Sequence, residues 1–187
     1  MIEPSPDGDA APTNPPAGQA VAGTWTLAPK ESRMEFAVKH FWGLVTVHGH
    51  FEAFQGEAVV DESGGISASL AVNANSVQTN NARRDKHLRS ADFFDVDRNP
   101  TLTFVTRQVT RVADGGAQVA GELTIAGHTE DVEFDTTIAV ASADEASADA
   151  TLSVDRTRFG MTWSPLGMSA ATAHLTLHLR FTRAAAG

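Results

Sequence analysis

Four histidines form two pairs whose spacing would let each pair share a metal ion. His48 and His50 lie in one alternating segment, and His174 and His178 lie in another. In β-strands such spacings place both imidazoles of a pair on one face, and imidazole is a common zinc and copper ligand. A shared site would require the two strands to be neighbours. Because the histidines lie opposite the apolar faces, exposed side chains are the simpler interpretation, and we predict no metal site.

A second candidate is the basic segment 83–89 in a chain whose formal net charge is −9. Arg84 and His87 within it could hold a phosphate or another oxygen acceptor through charge-assisted hydrogen bonds. The alternative is a solvated helix whose charges are partly paired with nearby aspartates, and Asp85 or His87 could equally tie this helix to the rest of the fold. The candidate aspartate partners are Asp92, Asp95 and Asp97.

No catalytic motif accompanies these groups. The sequence lacks a nucleophile elbow, a metalloprotease helix, a phosphate loop and a dinucleotide fingerprint. It also lacks cysteine, which excludes disulfides and thiolate metal sites. The net negative charge disfavours binding to nucleic acid and general attraction to anionic membranes. We therefore predict that the protein is not an enzyme and needs no cofactor.

The chain begins with a segment of different composition. Residues 1–22 are rich in Pro, Ala, Gly and Asp, and such a segment buries too little apolar surface to offset its ordering entropy. We predict a disordered tail over residues 1–22 and one domain over residues 23–184. The acidic start and the absence of an apolar run before Trp25 argue against a secretory signal. No stretch is long enough to span a bilayer, so we predict a soluble cytoplasmic protein.

From Trp25 onward, apolar and polar residues alternate with a period of two. Phe36 and Val38 show this pattern, as do Leu175 and Leu177. Alternation gives a strand one apolar and one wet face, which is typical of antiparallel sheets. About eight such strands are separated by turn-like segments, and this number closes a barrel with room for one small ligand. The predicted connections are residues 61–65, 113–116, 126–128 and, as a looser loop, 141–148.

One segment and two loops depart from the alternation. Thr79, Asn80 and Asn81 are N-cap candidates, and residues 82–91 are predicted to form a short helix across one barrel end. The loops at residues 41–44 and 159–168 are rich in aromatic residues and methionine. They suit an apolar mouth or a partner surface, or they simply cap the barrel. Periodicity alone leaves a packed and a hollow barrel equally open.

Several motifs occur in the order found in one known family. They span most of the chain from Trp25 to Phe181 and comprise residues 36–40, 49–51, 54–56, 79–96, 99–100, 121–129 and 158–161. Together they resemble the YceI-like polyisoprenoid-binding family. The resemblance implies an all-β, eight-stranded antiparallel, lipocalin-like barrel with an apolar tunnel. It also implies a bound isoprenoid chain, such as a quinone tail or polyprenyl lipid, or a fatty amide, and a possible homodimer.

The resulting prediction is non-catalytic binding, carriage or storage of a long-chain isoprenoid lipid. The alternatives are an enzyme or metal-dependent stress-response protein that uses the histidines, and an interaction module built on the loop at residues 159–168. His40, Arg84 and His87 are the headgroup candidates. The predicted apolar tunnel and mouth residues are Phe36, Val38, Phe41, Trp42, Val47, Phe51, Leu70, Val72, Leu88, Phe93, Phe94, Phe104, Leu123, Phe134, Phe159, Met161, Trp163 and Met168.

Overall fold

The computed structural model describes residues 20–184, which form eleven strand segments and one α-helix. The predicted tail over residues 1–22 lies mostly outside this range. The helix is α1 (Ala82–Leu88). The strands are β1 (Gly23–Leu27), β2 (Arg33–His40), β3 (Val45–Phe51), β4 (Phe54–Val60), β5 (Ile66–Asn73), β6 (Val77–Gln78), β7 (Thr101–Arg111), β8 (Gly116–Ile125), β9 (His128–Val140), β10 (Glu145–Asp155) and β11 (Ser169–Arg183).

The sheet is a closed antiparallel barrel. β1 pairs with both β4 and β11, so eight strands close a ring in the order β1-β4-β5-β7-β8-β9-β10-β11. β2, β3 and β6 extend the sheet beyond β11 towards the end that carries α1. Three of the eight barrel strands are interrupted, and each consists of two consecutive segments: β1 with β2, β3 with β4, and β5 with β6. The predicted eight-stranded antiparallel barrel is therefore confirmed.

Local sequence explains two of the interruptions. Pro29 begins a 3-10 turn between β1 and β2 because it fixes φ and lacks an amide donor. Between β5 and β6, the side chain of Asn73 accepts a hydrogen bond of 3.0 Å from the amide of Asn75 and so caps a second short turn. Each break lets the chain change direction while the neighbouring strand pairs continue.

α1 follows β6 and begins at the predicted cap. The Asn81 side chain accepts a hydrogen bond of 3.0 Å from the amide of Arg84. The prediction that the helix reaches residue 91 is wrong, because it ends at Leu88. The amide of Ser90 donates to the carbonyl of His87, and the amide of Phe94 donates to the carbonyl of Leu88. The helix therefore ends in a series of hydrogen-bonded turns.

The connections mostly match the predicted turns. Residues 61–65, 113–116 and 126–128 join neighbouring antiparallel strands, although β8 and β9 already begin at the last residue of the second and third segments. The predicted looser loop over residues 141–148 is wrong in its second half, since β10 begins at Glu145. Ser147 and Ala148 pair there with Arg180 and Leu179 of β11. No helix among residues 20–184 is long and apolar enough to cross a membrane.

Candidate functional site

The inward faces of the barrel surround a cavity of about 930 Å³. Trp25 and Val60 line it towards the far end, and His40, Phe41 and Trp163 line it at the end next to α1, which we call the mouth. The lining is overwhelmingly apolar because the alternation turns one face of every strand inward. The barrel is therefore hollow, which the alternation alone could not establish.

Small side chains make room for this cavity. Ala146, Ala148 and Ala150 lie on the inward face of β10, and Ala58 and Ala68 line the cavity from β4 and β5. Aromatic rings fill other parts of the interior, where they pack in pairs. The ring centroids of Phe104 and Phe134 are 5.6 Å apart, those of Phe36 and Phe51 are 5.7 Å apart, and those of Phe51 and Phe94 are 5.8 Å apart.

Most of the predicted apolar site residues line this cavity. Trp42 and Phe159 do not line it, and of these two Trp42 lies in the loop beside the mouth. Trp42 has a left-handed backbone (φ 55°) in the loop after β2, and 74% of its surface is exposed. Phe159 is 2% exposed and packs in the hydrophobic core. The predicted residues that do line the cavity are Phe36, Val38, Phe41, Val47, Phe51, Leu70, Val72, Leu88, Phe93, Phe94, Phe104, Leu123, Phe134, Met161, Trp163 and Met168.

The three headgroup candidates are brought together at the mouth. His40 ends β2, where its Nδ1 lies 3.0 Å from the Ser169 hydroxyl. Burial lowers the pKa of His40, and the nearby charges of Arg156 and Arg84 lower it further. His87 projects from α1, where its Nε2 lies 2.8 Å from a carboxylate oxygen of Asp92.

Arg84 is held in place by Thr79, the residue after β6. Its Nε donates to the Thr79 hydroxyl at 2.7 Å and its Nη2 to the Thr79 carbonyl at 2.8 Å. Asp85, which is 4% exposed, accepts hydrogen bonds from both the amide and the hydroxyl of Thr79. Arg89 donates to the carbonyls of Asn75 and Val77. These bonds attach α1 to the barrel, so Asp85 has the tethering role that the sequence left open.

Arg156 is a mouth residue that the sequence analysis missed. It is 5% exposed and lines the cavity just after β10. Its guanidinium donates to the carbonyls of Met161 and Ala170, the latter at 2.9 Å. Burial lowers its pKa, an effect that the charge of Asp155 partly offsets. The phase of the alternation could have revealed it, because it continues the inward positions of Leu152 and Val154.

The histidine pairs do not meet. β2 lies between β3 and β11, so the strands that carry the two pairs are not neighbours. His174 instead lies 2.9 Å from the Ser153 hydroxyl, and His178 lies 2.7 Å from a carboxylate oxygen of Asp149. Within residues 20–184 no group of three or more histidine, aspartate or glutamate side chains is placed to hold a metal.

Large apolar side chains stand exposed around the mouth. Leu44 and Leu166 are 85% and 86% exposed, and they lie in the loops at residues 41–44 and 159–168. Leu166 has a left-handed backbone (φ 53°), a conformation that is unfavourable for a residue of its size. The two loops therefore form an apolar rim, consisting of Phe41, Trp42, Leu44, Trp163 and Leu166.

A closed eight-stranded up-and-down barrel around an apolar cavity defines a lipocalin-like barrel. The chain belongs to the family of YceI-like domains, whose family model matches residues 25–182.

Relatives with similar sequences are UPF0312 proteins. One from Pseudomonas aeruginosa is 40% identical over 121 residues, which cover 62% of this chain and 62% of that protein. One from Pectobacterium atrosepticum is 37% identical over 124 residues, covering 64% of this chain and 63% of that protein. The matched part thus spans less than two thirds of the length of these relatives.

Solved structures show the same fold. BcnA of Burkholderia cenocepacia has a TM-score of 0.76 at 21% identity, covering 82% of this chain and 98% of that chain. A polyisoprenoid-binding domain from Saccharophagus degradans, described as implicated in plant cell wall breakdown, has a TM-score of 0.71 at 15% identity. That likeness covers 86% of this chain and 98% of that chain.

Proposed function

We propose that the protein binds one long, apolar, isoprenoid-type lipid in its barrel, without catalysis, and carries or stores it. The observation that carries this proposal is the size and apolar lining of the cavity. The description of the Saccharophagus domain as polyisoprenoid-binding supports the isoprenoid class. A quinone tail and a polyprenyl lipid both fit this class.

The volume of the cavity sets the size of the tail. A cavity of roughly 150 Å³ holds one benzene molecule. On that scale, about 930 Å³ has room for roughly 35 to 40 carbon atoms, or about seven to eight isoprene units. Each buried methylene contributes about 0.8 kcal/mol, of which ordering and association remove a part. Chain length would then set affinity, and His40, Arg84 and His87 would contact the headgroup.

A matched pair of substitutions on β10 tests this proposal. Ala150 faces the cavity, whereas the next residue, Thr151, is exposed on the outer face. Ala150→Phe should fill the middle of the tunnel and reduce uptake of a long-tailed ubiquinone by delipidated protein at least about tenfold. Thr151→Phe adds the same ring outside and should bind like the wild type. Unchanged uptake by a folded Ala150→Phe protein would contradict the proposal.

Three further points stay predictions. Comparing the size in solution of the wild type and Trp163→Ala tests the homodimer and the interaction module, since Trp163 belongs to the exposed apolar rim. Fractionation of cells that produce the full-length protein tests the cytoplasmic location. Elemental analysis of protein purified without metal-affinity resin tests the alternative metal-dependent role of the histidines.

A further inference from the structure

The mouth of the cavity concentrates positive charge that binding of an apolar tail does not require. The charge comes from Arg83, Arg84 and Arg156, which line the mouth together with His40 and His87. The lowered pKa of His40 favours its neutral form, and His87 is hydrogen-bonded to Asp92. Among the described lining residues, the one carboxylate is that of Glu35, which is exposed. Glu35 lies five residues before His40 on β2, about 16 Å along the strand. This basic mouth belongs to a chain whose formal net charge is −9, so it does not reflect overall composition.

Arg156 is the most deeply buried member of this group. Its three nitrogens all donate to backbone carbonyls, those of Met161, Ala170 and Ser169, the last at 3.5 Å. Carbonyl dipoles satisfy these donors but carry no net negative charge. A guanidinium has five N–H groups, so donors remain for a further acceptor. The nearby charge of Asp155 acts on Arg156 but does not line the cavity. Burial of a cation is unfavourable, and an anion arriving in the cavity would relieve this.

Arg84 and His40 face the same region. The hydrogen bonds to Thr79 fix the Arg84 guanidinium. The carboxylate of the next residue, Asp85, accepts hydrogen bonds from Thr79 and does not line the cavity. All three residues line the cavity, and the charges of Arg156 and Arg84 both act on His40. His40 is oriented through its Nδ1 by Ser169, which leaves its Nε2 for a ligand.

We propose that this basic mouth selects amphiphiles whose chain ends in an oxyanion, a carboxylate or a phosphate, over amphiphiles with a neutral end. This proposal rests on the proposed function, because it assumes that the cavity holds the apolar tail. An oxyanion at the mouth accepts charge-assisted hydrogen bonds in a region of low dielectric, where they are strongest. A neutral hydroxyl leaves the guanidinium charges uncompensated, and a cationic end is repelled by them.

Ligands with one hydrocarbon chain and different ends test this selection. Hexadecanoate, hexadecyl phosphate, hexadecan-1-ol and hexadecylamine are titrated into delipidated wild-type protein at neutral pH, below the concentrations at which they form micelles. We expect the carboxylate or the phosphate to bind about tenfold to a hundredfold more tightly than the alcohol, and the amine to bind most weakly. The tighter binder of the two anions shows whether the mouth prefers a carboxylate or a phosphate.

The outcomes separate this proposal from the proposed function. Equal affinities for all four ligands would contradict selection by the mouth and would leave lipid binding intact. If none of the four binds and no long-tailed ubiquinone binds either, the proposed function fails together with this inference. Tightest binding of the alcohol or the amine would also contradict the proposal.

Two substitutions at the mouth assign the selection to its residues. Arg84→Met and Arg156→Met should each reduce the preference for the anion over the alcohol about tenfold, because each weakens anion binding much more than alcohol binding. Arg156→Lys keeps the charge and should retain most of the preference, which guards against loss of the fold in Arg156→Met. Arg107→Met, on an exposed arginine paired with Glu122 and Asp131, is the matched control. An intact preference in both Arg84→Met and Arg156→Met would overturn the assignment.

Discussion

The imidazole of His87 stands edge-on to the indole of Trp163, with ring centroids 4.5 Å apart and an interplanar angle of 85°. The hydrogen bond from His87 to Asp92 holds the imidazole in this orientation. Phe93 packs against both rings, 5.1 Å from that of His87 and 5.7 Å from that of Trp163. This aromatic cluster joins α1 to the loop before β11 and forms one wall of the mouth.

Trp163 should therefore report on occupancy of the cavity. A ligand at the mouth removes water from this half-exposed indole, so we expect tryptophan emission to shift to shorter wavelength when hexadecanoate is added. Trp163→Phe should abolish the shift. Trp42→Phe should retain it, because Trp42 is exposed and does not line the cavity. A full shift in the Trp163→Phe protein would show that the ligand does not pass this wall.

Gly49 has no room for a larger side chain. A Cβ at this position would lie 2.6 Å from Cε1 of Phe36, its partner on β2, and 2.8 Å from Cγ2 of Thr79. Gly49→Ala should lower the free energy of unfolding by about 1–3 kcal/mol, measured by urea denaturation. Phe36→Leu shortens the opposing side chain, so the double variant should lose less than the sum of the two single changes. Simple additivity would show that the two positions are not coupled.

Asp85 should contribute to stability rather than to ligand binding. Its carboxylate accepts both hydrogen bonds from Thr79, and Asp85→Ala leaves these buried donors without their partner. We expect a loss of about 1–3 kcal/mol in unfolding free energy and faster hydrogen exchange in α1. Asp97→Ala, at an exposed position in the turns after α1, is the control and should be close to neutral. Equal stability of the two variants would count against the tether.

His40 should make stability depend on pH in a defined direction. Burial and the charges of Arg156 and Arg84 lower the pKa of His40 in the folded state. As pH falls below about 6.5, the unfolded chain takes up a proton that the folded protein resists, so unfolding becomes easier. The stabilising effect is complete above this value. Wild-type protein should therefore lose more stability than His40→Asn between neutral and mildly acidic pH, and parallel pH profiles would contradict this.

The sequence predicted the features that alternation and capping determine. Alternation places Phe36 and Leu175 on apolar strand faces, and they pair in register across β2 and β11. Asn81 was among the predicted caps because its short polar side chain can accept the free amide of the first helical turn, and it does so. These features depend on residues close together in the chain.

Features that depend on strand order could not be predicted in this way. A packed and a hollow barrel show the same alternation, and only the joint placement of small residues such as Ala150 makes the interior hollow. The separation of His48 from His174 follows from the insertion of β2 between their strands. Residues 145–148, the first four of β10, were predicted as loop because these small and polar residues lack the usual apolar signal. Arg156 was missed because it is charged, although it continues the inward alternation of Leu152 and Val154.

Organic-solvent extraction of the purified protein, followed by mass spectrometry, identifies what the cavity holds. Protein purified in its native state, without detergent, should release roughly one long-chain lipid per molecule. Its tail should be isoprenoid and contain on the order of 35 to 40 carbon atoms, the size that the cavity of about 930 Å³ accommodates. An extract without stoichiometric lipid, from protein that also fails to take up added long-tailed ubiquinone, would contradict lipid binding by this barrel.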